Sequence, residues 1–275
     1  SHDDEPFFLY AAFTLPHFSA QSEDEDRFAV PSTDPYSHKD WDDQSKKYAT
    51  MVHMLDRDVG RIVDLVDELG LKNNTLIIFS SDNGGHSILW DAFDTNGPLR
   101  GYKRDLTEGG IRVPFIVRWP GKIPAGENSD EIIAFQDMMP TFAELAGENK
   151  PVYIDGISVV EAFMGRELKK PHPYLYWDYG HCRVQSGTSH EQVVRGLYKQ
   201  AVRMGKWKGI RYGQNGKIQL YNLNQDIGEE NNQADKYPEI IREIDSIMGI
   251  AFEPSKLYPI GEKYTGGPIW KKENQ

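Results

Sequence analysis

The fold class of this chain is decided by the stretch Thr75-Leu76-Ile77-Ile78-Phe79-Ser80-Ser81-Asp82-Asn83-Gly84-Gly85. Residues 75–80 are almost all apolar, and a short run of this kind predicts a central β-strand that is covered on both faces. A glycine-bounded turn with the oxygen donors Asp82 and Asn83 follows at once. Open α/β sheets place their ligands at the carboxyl ends of strands. The stretch therefore predicts an α/β fold with a ligand site at residues 81–85.

Regular elements on both sides of this stretch continue the α/β alternation. Apolar residues recur at spacings of three and four over residues 48–69, which predicts a helix that Gly70 ends. Residues 113–119 predict another strand, and residues 138–146 predict another helix. A further buried strand is predicted at residues 7–13. The alternation as a whole indicates a mostly parallel sheet flanked by helices.

The pattern changes beyond about residue 170, where short strand-like runs are joined by turns rich in glycine and asparagine. These runs predict a small antiparallel sheet, with one helix at residues 238–248. We therefore expect three regions: the larger α/β domain over residues 1–170, a small α+β subdomain over residues 171–252, and an irregular tail over residues 253–275.

Composition excludes several classes of protein. The chain has 275 residues and a formal net charge of −11, which disfavours binding to nucleic acid or to an anionic membrane surface. No stretch is apolar enough to predict a membrane span, and residues 1–6 do not resemble a signal peptide. Cys182 is the single cysteine, so an intrachain disulfide and a cysteine-based zinc site are both excluded.

Asp82 and Asn83 are the candidate metal ligands. They are adjacent oxygen donors in a turn that can bend around an ion, and an all-oxygen set suits calcium or magnesium. The alternative is that Asp-Asn-Gly-Gly only forms a turn, as such tetrapeptides commonly do. Its position directly after a buried strand favours the metal site.

Basic residues provide the candidate groups for an anionic substrate. Lys103 lies among glycines, where a lysine can hold an oxyanion and give a proton to a leaving oxygen. Its alternative is an ordinary solvated lysine, and Arg100 and Arg104 are predicted mainly as partners of nearby acids. His17 is a candidate anion ligand or acid, or else a structural hydrogen-bonding residue.

Several motifs resemble the type I sulfatases of the alkaline phosphatase superfamily, in their order as well as in their residues. The resemblance covers most of residues 6–250 and includes glycan sulfatases of the N-acetylgalactosamine-6-sulfatase and arylsulfatase A type. The segments that carry it are Pro16-His17, Ser81-Asp82-Asn83-Gly84, Gly101-Tyr102-Lys103-Arg104, Glu108-Gly109-Gly110-Ile111-Arg112-Val113-Pro114, Trp119-Pro120-Gly121-Lys122-Ile123, Asp137-Met138-Met139-Pro140-Thr141, Val202-Arg203-Met204-Gly205-Lys206-Trp207-Lys208 and Leu220-Tyr221-Asn222-Leu223.

The resemblance implies a sulfuric ester hydrolase. It implies that Asp82 and Asn83 supply half of a Ca2+ site, and that His17 and Lys103 hold the sulfate and help to protonate the departing alcohol. The family's nucleophile is a formylglycine made in a Cys-x-Pro/Ser-x-Arg motif, and the residues after Cys182 do not fit that motif. The resemblance thus implies that an N-terminal half with the nucleophile and the other calcium ligands is missing, so that this chain alone is inactive.

A sulfated carbohydrate or an aryl sulfate is the substrate that the resemblance implies, in a periplasmic, secreted or lysosome-like location. The candidate residues for contact with a sugar are Trp90, Asp94, Arg104, His181 and His190. Two alternatives stay open: an inactive sulfatase-like fragment or subunit that binds sulfated glycan, and a phosphodiesterase or phosphonate hydrolase of the same superfamily.

Overall fold

The structure, a computed structural model, describes residues 5–19, 27–87, 90–180, 182–184, 193–195, 198–213 and 215–253. The chain forms two compact units, residues 1–76 and residues 77–275. The domain boundary expected at residue 170 falls inside the second unit and stays a prediction. The expected tail lies outside the described residues from residue 254 onward.

Helices and strands alternate in the first part of the described chain, and strands dominate the second part. The α-helices are α1 Asp43–Glu68, α2 Trp90–Phe93, α3 Glu108–Ile111, α4 Met138–Leu145, α5 Val160–Phe163 and α6 Pro238–Ile250. The strands are β1 Ile77–Ser80, β2 Phe115–Arg118, β3 Leu175–Tyr179, β4 Cys182–Val184, β5 Val193–Arg195, β6 Lys199–Met204, β7 Trp207–Tyr212 and β8 Ile218–Asn222. Short 3-10 helices span Lys72–Asn74, Phe135–Asp137 and Ala234–Lys236.

The first unit contains the long helix α1. Asp42 caps its start, because the Asp42 side chain accepts a hydrogen bond of 2.9 Å from the amide of Ser45. Gly70 lies just beyond its end with φ of +74°, a conformation that glycine adopts without strain. The helix predicted over residues 48–69 is confirmed, and it begins earlier than predicted because the cap is Asp42.

Residues 7–13 do not form the predicted buried strand. They have no strand structure, and the side chains of Phe8 and Tyr10 are 80% and 81% exposed. A strand needs neighbouring strands for its backbone hydrogen bonds, and within the described part of the chain no strand pairs with this run. His17 therefore does not follow a strand; it follows the cis peptide bond between Leu15 and Pro16.

Strands β1 and β2 open the second unit and pair antiparallel, with Ile77 opposite Arg118 and Ser80 opposite Phe115. The α/β class is confirmed by the alternation of strands and helices. This pair differs from the mostly parallel sheet that was expected, although mixed sheets commonly include antiparallel strands. Because Ser80 lies opposite Phe115, the chain leaves β1 and enters β2 at one end of the pair. The loops of residues 81–114 therefore start and finish at that end.

The predicted C-terminal antiparallel sheet is confirmed, with strand order β3-β6-β7-β8. Neighbouring residues of a strand face opposite sides of a sheet, so Val202 and Ala201 belong to different cores. Helix α6 covers one side, where Ile244 and Met248 pack near Val202. Leu106, from the loop before α3, packs on the other side with Ala201. The sheet therefore touches the region between β1 and β2.

Asp137 holds a separate part of the second unit together. Its carboxylate is completely buried and accepts hydrogen bonds from the amides of Ala134 at 2.7 Å and Ile157 at 2.9 Å. His172 Nε2 donates to the same carboxylate at 2.8 Å. Two segments that are distant in sequence, at Ile157 and at His172, are thereby fixed to the start of α4.

No helix in the described ranges is long and apolar enough to cross a membrane.

Candidate active site

The turn after β1 presents the predicted metal ligands. Ser81 Oγ donates to the carbonyl oxygen of Asn83 at 3.0 Å, which closes the turn. Asn83 Nδ2 donates to the carbonyl oxygen of Gly84 at 2.9 Å, so the Asn83 side chain offers its oxygen as an acceptor. The side chain of Asp82 is exposed. Both predicted ligands therefore present oxygen atoms on a short, internally bonded turn.

Lys103 lies in a second tight turn. The amide of Asp105 donates to the carbonyl oxygen of Tyr102 at 2.8 Å, and Arg104 between them has φ of +81°. A positive φ is strained for a residue with a side chain, so outside contacts have to hold this turn. The side chain of Lys103 is half-buried, and that of Arg104 is exposed.

Two direct backbone hydrogen bonds and a bridge through the Asn96 side chain join the glycine-rich segments of these two turns. The amide of Lys103 donates to the carbonyl oxygen of Gly85 at 2.8 Å, and the amide of Gly84 donates to the carbonyl oxygen of Gly110 at 3.1 Å. The Asn96 side chain accepts from the amide of Gly85 at 2.9 Å and donates to the carbonyl oxygen of Gly101 at 2.8 Å. The structure thus brings the two predicted turns together.

The junction between the two turns requires glycine at position 84, because a side chain would not fit there. A Cβ atom at position 84 would lie 1.8 Å from the carbonyl oxygen of Gly109, far inside van der Waals contact. The backbones of the two turns therefore approach as closely as they do because position 84 is glycine.

A buried group of charges lies at the end of the Lys103 loop. Glu108 is 4% exposed, and its carboxylate lies 2.7 Å from Lys208 Nζ and 3.6 Å from an Arg203 nitrogen. Burial alone would raise the pKa of Glu108, but the charge and hydrogen bond of Lys208, together with Arg203 and Arg112, lower it below the ordinary value. Glu108 is therefore held as a carboxylate.

Glu229 completes this group. Its carboxylate accepts a hydrogen bond of 2.8 Å from the amide of Glu108, and its other oxygen lies 3.7 Å from Lys208 Nζ. Burial raises the pKa of Glu229 against the opposing charge of Lys208. One lysine thus lies between two buried glutamates.

Two charged residues near Lys103, Asp105 and Arg100, contact residues that the sequence did not predict as their partners. Asp105 pairs with Lys199 at 3.0 Å. The Arg100 guanidinium lies over the ring of Tyr221, 4.9 Å from its centroid. The prediction that Arg100 and Arg104 serve the nearby acids did not foresee these contacts, because Lys199 and Tyr221 come from the distant C-terminal sheet.

His17 belongs to the first unit and has an exposed side chain. Its Nδ1 lies 2.7 Å from the carbonyl oxygen of Phe18. A carbonyl oxygen only accepts hydrogen bonds, so Nδ1 carries the proton, and in the neutral ring Nε2 is then the acceptor nitrogen. The ring of His17 also stacks on that of Phe18, with centroids 5.1 Å apart.

The predicted sugar-contacting residues are described only in part. Asp94 is exposed with φ of 34°, in a turn closed by the amide of Gly97, which donates to its carbonyl oxygen at 3.0 Å. Trp90 begins α2, and only its backbone is described. His181 and His190 lie outside the described residues.

Asp82 and Asn83 fit a hard cation by their donor chemistry. Both offer side-chain oxygen, and Gly84 and Gly85 leave the backbone room to bend around an ion. Calcium takes about six to eight oxygen ligands, so further donors are needed. Among the described residues, no group of three or more histidines, cysteines, aspartates or glutamates could hold a metal ion.

The sulfatase family, under the description "Sulfatase", matches residues 1–148. This chain belongs to the sulfatase family. A second family, described as "N-sulphoglucosamine sulphohydrolase, C-terminal", matches residues 101–249 of this sulfatase. Sulfatases are generally dependent on calcium and formylglycine. The first match contains Asp82, Asn83 and Lys103, so it includes both of the joined turns.

Individual sulfatases resemble this chain over much of its length. It is 26% identical over 285 residues to the uncharacterized sulfatase YdeN of Escherichia coli (strain K12), which covers 94% of this chain and 48% of YdeN. It is 33% identical over 197 residues to N-acetylgalactosamine-6-sulfatase of Canis lupus familiaris, which covers 70% of this chain and 34% of that enzyme. The chain thus spans about half the length of these relatives, or less.

A solved structure matches the fold of this sulfatase with a TM-score of 0.70. It is Ps i-CgsB in complex with k-i-k-neocarrahexaose, which is 30% identical and is covered over 50% of its length by 90% of this chain. The α/β architecture described above is therefore that of a solved relative.

Asn96, Lys208 and Glu229 were not identified from the sequence as site residues. Asn96 precedes Gly97 and Pro98, so locally it looks like an ordinary turn residue. Lys208 and Glu229 act on Glu108 from far along the chain, and no local pattern shows such contacts. The one available signal was for Lys208, a charged residue at a strand position that should be buried.

Proposed function

We propose that this chain provides part of the active site of a sulfatase that removes sulfate from a sulfated sugar. The observation that carries the proposal is the hydrogen-bonded junction between the turn of Asp82 and Asn83 and the turn of Lys103. It combines oxygen donors for a cation with a cationic side chain, and these are the groups that a sulfate ester needs.

Hydrolysis adds water across the bond between sulfur and the alcohol oxygen, and that oxygen leaves with a proton. Lys103 would bind a sulfate oxygen as a point charge and supply the proton to the leaving oxygen. His17 would have the same two roles. Asp82 and Asn83 would hold calcium, which neutralises the negative charge of the sulfate.

The proposal assigns the remaining parts of the active site to residues outside the present chain. Formylglycine supplies the nucleophile in sulfatases, and residues 1–275 contain no Cys-x-Pro/Ser-x-Arg motif. We therefore assign the formylglycine and the other calcium ligands to an N-terminal half of a longer protein. We also place that protein in the periplasm, outside the cell or in a lysosome-like compartment.

Sulfated carbohydrate is the proposed substrate class, because relatives of this chain include N-acetylgalactosamine-6-sulfatase. The loops that would surround the sugar contain Trp90, Asp94, Arg104, His181 and His190. Asp94 and Arg104 are exposed, as substrate contacts in an open site have to be.

The test is to sequence the coding region upstream of Ser1 and express the longest protein that it encodes. Hydrolysis of 4-nitrocatechol sulfate would then be measured with calcium and after removal of calcium by a chelator. We expect an upstream Cys-x-Pro/Ser-x-Arg segment, turnover with calcium, and none by the 275-residue chain alone. Turnover confined to phosphodiesters or phosphonate esters, with zinc or manganese bound, would contradict the proposal.

A matched pair of lysine variants tests the role of Lys103 in that longer protein. Lys103→Ala is expected to lower kcat by about 10²- to 10⁴-fold, the range that general acid catalysis typically contributes. Lys150→Ala removes an exposed lysine and should leave kcat unchanged. Equal activities of the two variants would remove Lys103 from the reaction.

A further inference from the structure

Residues 105–108 are held against one face of the C-terminal sheet. Lys199 Nζ pairs with Asp105 at 3.0 Å and also donates to the carbonyl oxygen of Arg104 at 3.3 Å. Leu106, 5% exposed, packs with apolar residues of that face. Lys208 then pairs with Glu108 at 2.7 Å. Two lysines of adjacent strands therefore hold the two ends of one segment, and an apolar side chain holds its middle.

Lys208 is an unusual residue for a buried strand position. Its side chain is fully buried, and its Nζ lies between Glu108 and Glu229 and 5.7 Å from the centroid of the Trp177 ring. Removing a charged amine from water costs several kcal/mol, and an ion pair rarely returns more than a well-packed apolar side chain would. Net stability is therefore a weak reason for a lysine at this position.

Glu229 contacts the amide of Glu108 from a strained backbone conformation. Its φ is +53°, a conformation that side chains other than glycine rarely adopt. Asp226 maintains this bend, because its carboxylate accepts the amides of Glu230 at 3.0 Å and Asn231 at 2.8 Å. Strain of this kind persists where the surrounding structure holds it and where it serves a site.

Backbone hydrogen bonds of the residues that follow Glu108 lead to both turns of the proposed site. The amide of Gly109, the next residue, donates to the carbonyl oxygen of Arg100 at 2.8 Å, just before the turn. The carbonyl oxygen of Gly110 accepts the amide of Gly84, which belongs to the turn of the metal ligands. A displacement of Glu108 would therefore move both parts of the proposed site.

We propose that Lys208 and Glu229 are positioning residues that set the place of Lys103 through Glu108. The inference rests on the proposed function for the role of Lys103, but the positioning itself concerns the folded chain. The C-terminal sheet then acts on the proposed site through Glu108.

Amide hydrogen exchange in the folded 275-residue chain tests the positioning without any need for activity. In Lys208→Met, which keeps the bulk and removes the charge, exchange at the amides of Lys103 and Gly84 should become faster by about tenfold or more. Glu229→Ala should have the same effect, and Glu229→Gln a smaller one, because glutamine still accepts the amide of Glu108. The matched control is Asp137→Asn, which disturbs a buried carboxylate elsewhere and should leave these two amides unchanged.

Unchanged exchange at Lys103 and Gly84 in folded Lys208→Met and Glu229→Ala would overturn the proposal. If Lys208→Met does not fold, the comparison of Glu229→Ala with Glu229→Gln tests the positioning role. Equal protection of the two amides in those variants overturns the proposal, and a graded loss supports it. If Asp137→Asn has the same effect as Glu229→Ala, the loss is general and the positioning role is refuted.

Kinetics of the longer protein separate this inference from the proposed function. If the positioning role and the proposed function both hold, Glu229→Gln should lower kcat more than it raises KM, because a misplaced Lys103 fails mainly at the leaving oxygen. If the unaltered protein has no sulfatase activity but the exchange results hold, the proposed function fails and the positioning of the loop stands.

Discussion

The amide of Lys103 donates a hydrogen bond of 2.8 Å to the carbonyl oxygen of Gly85. This contact fixes the backbone of the candidate acid against the turn that presents Asp82 and Asn83. A backbone contact of this kind does not depend on either side chain, so the spacing of the two turns survives substitutions of Lys103 itself. Variants of the residues around the contact are therefore the better probes of site geometry.

Asn96 variants should separate the two halves of its bridge. Asn96→Asp keeps an oxygen that accepts the amide of Gly85 but loses the donor to the carbonyl oxygen of Gly101. We expect a loss of roughly 1–3 kcal/mol in the free energy of unfolding for Asn96→Asp and a larger loss for Asn96→Ala, which lacks both groups. Urea denaturation of the 275-residue chain measures both values, and equal stability of Asn96→Ala and the unaltered chain would contradict the bridge.

Gly84→Ala should damage the junction directly. The added methyl would meet the carbonyl oxygen of Gly109 at 1.8 Å, and backbone cannot move away as easily as a side chain. We expect a loss of about 3 kcal/mol or more in the free energy of unfolding, at or above the upper end of overpacking costs. The control is Gly249→Ala in helix α6, where the added carbon would meet nothing within 4 Å apart from its chain neighbours and the helix's own backbone. It should be neutral or slightly stabilising, because alanine favours a helix more than glycine does.

The pH dependence of stability should change in Glu108→Gln. Because the folded state lowers the pKa of Glu108, its ionised form contributes stability above about pH 4.3, the ordinary value for glutamate. That contribution is lost as the pH falls through the lowered pKa. The difference in unfolding free energy between the unaltered chain and Glu108→Gln should therefore shrink as the pH falls below about 4.3.

The contribution of Glu229 to stability should depend on pH in the opposite direction. Burial raises its pKa, so its contribution is fully present below about pH 4.3 and is lost as the pH rises through the raised value. Glu229→Gln should accordingly lose less stability at neutral pH than under acid conditions, relative to the unaltered chain. Chemical denaturation over a range of pH measures both variants, and parallel curves for the two would contradict the assignment.

Asp82→Asn should weaken calcium binding in the longer protein. The variant keeps an oxygen donor but removes a negative charge, and affinity for calcium falls with the charge of its ligands. We expect the calcium concentration for half-maximal activity to rise by at least about tenfold. Asp130→Asn removes an exposed carboxylate outside the turn and should leave this concentration unchanged. Equal calcium requirements of the two variants would exclude Asp82 as a ligand.

Local sequence patterns predicted the elements that are stable for local reasons. Apolar spacing and Gly70 predicted helix α1, and the strand-like runs beyond residue 170 predicted the antiparallel sheet that contains β7. The strand predicted at residues 7–13 does not form, because a strand depends on partners that its own sequence does not contain. The same limit applies to the β1 and β2 pair, whose antiparallel direction is a property of two segments together.

The sequence by itself determined the family, the turn of Asp82 and Asn83, and the glycine-rich loop of Lys103, because these are short segments whose chemistry is local. Only the tertiary structure decided that Asn96 bridges those turns and that Lys208 lies buried between Glu108 and Glu229. The physical reason is that a buried charge requires an opposite charge within a few ångströms in space. The distance between such residues along the chain is set by the path of the fold and has no signature in either segment.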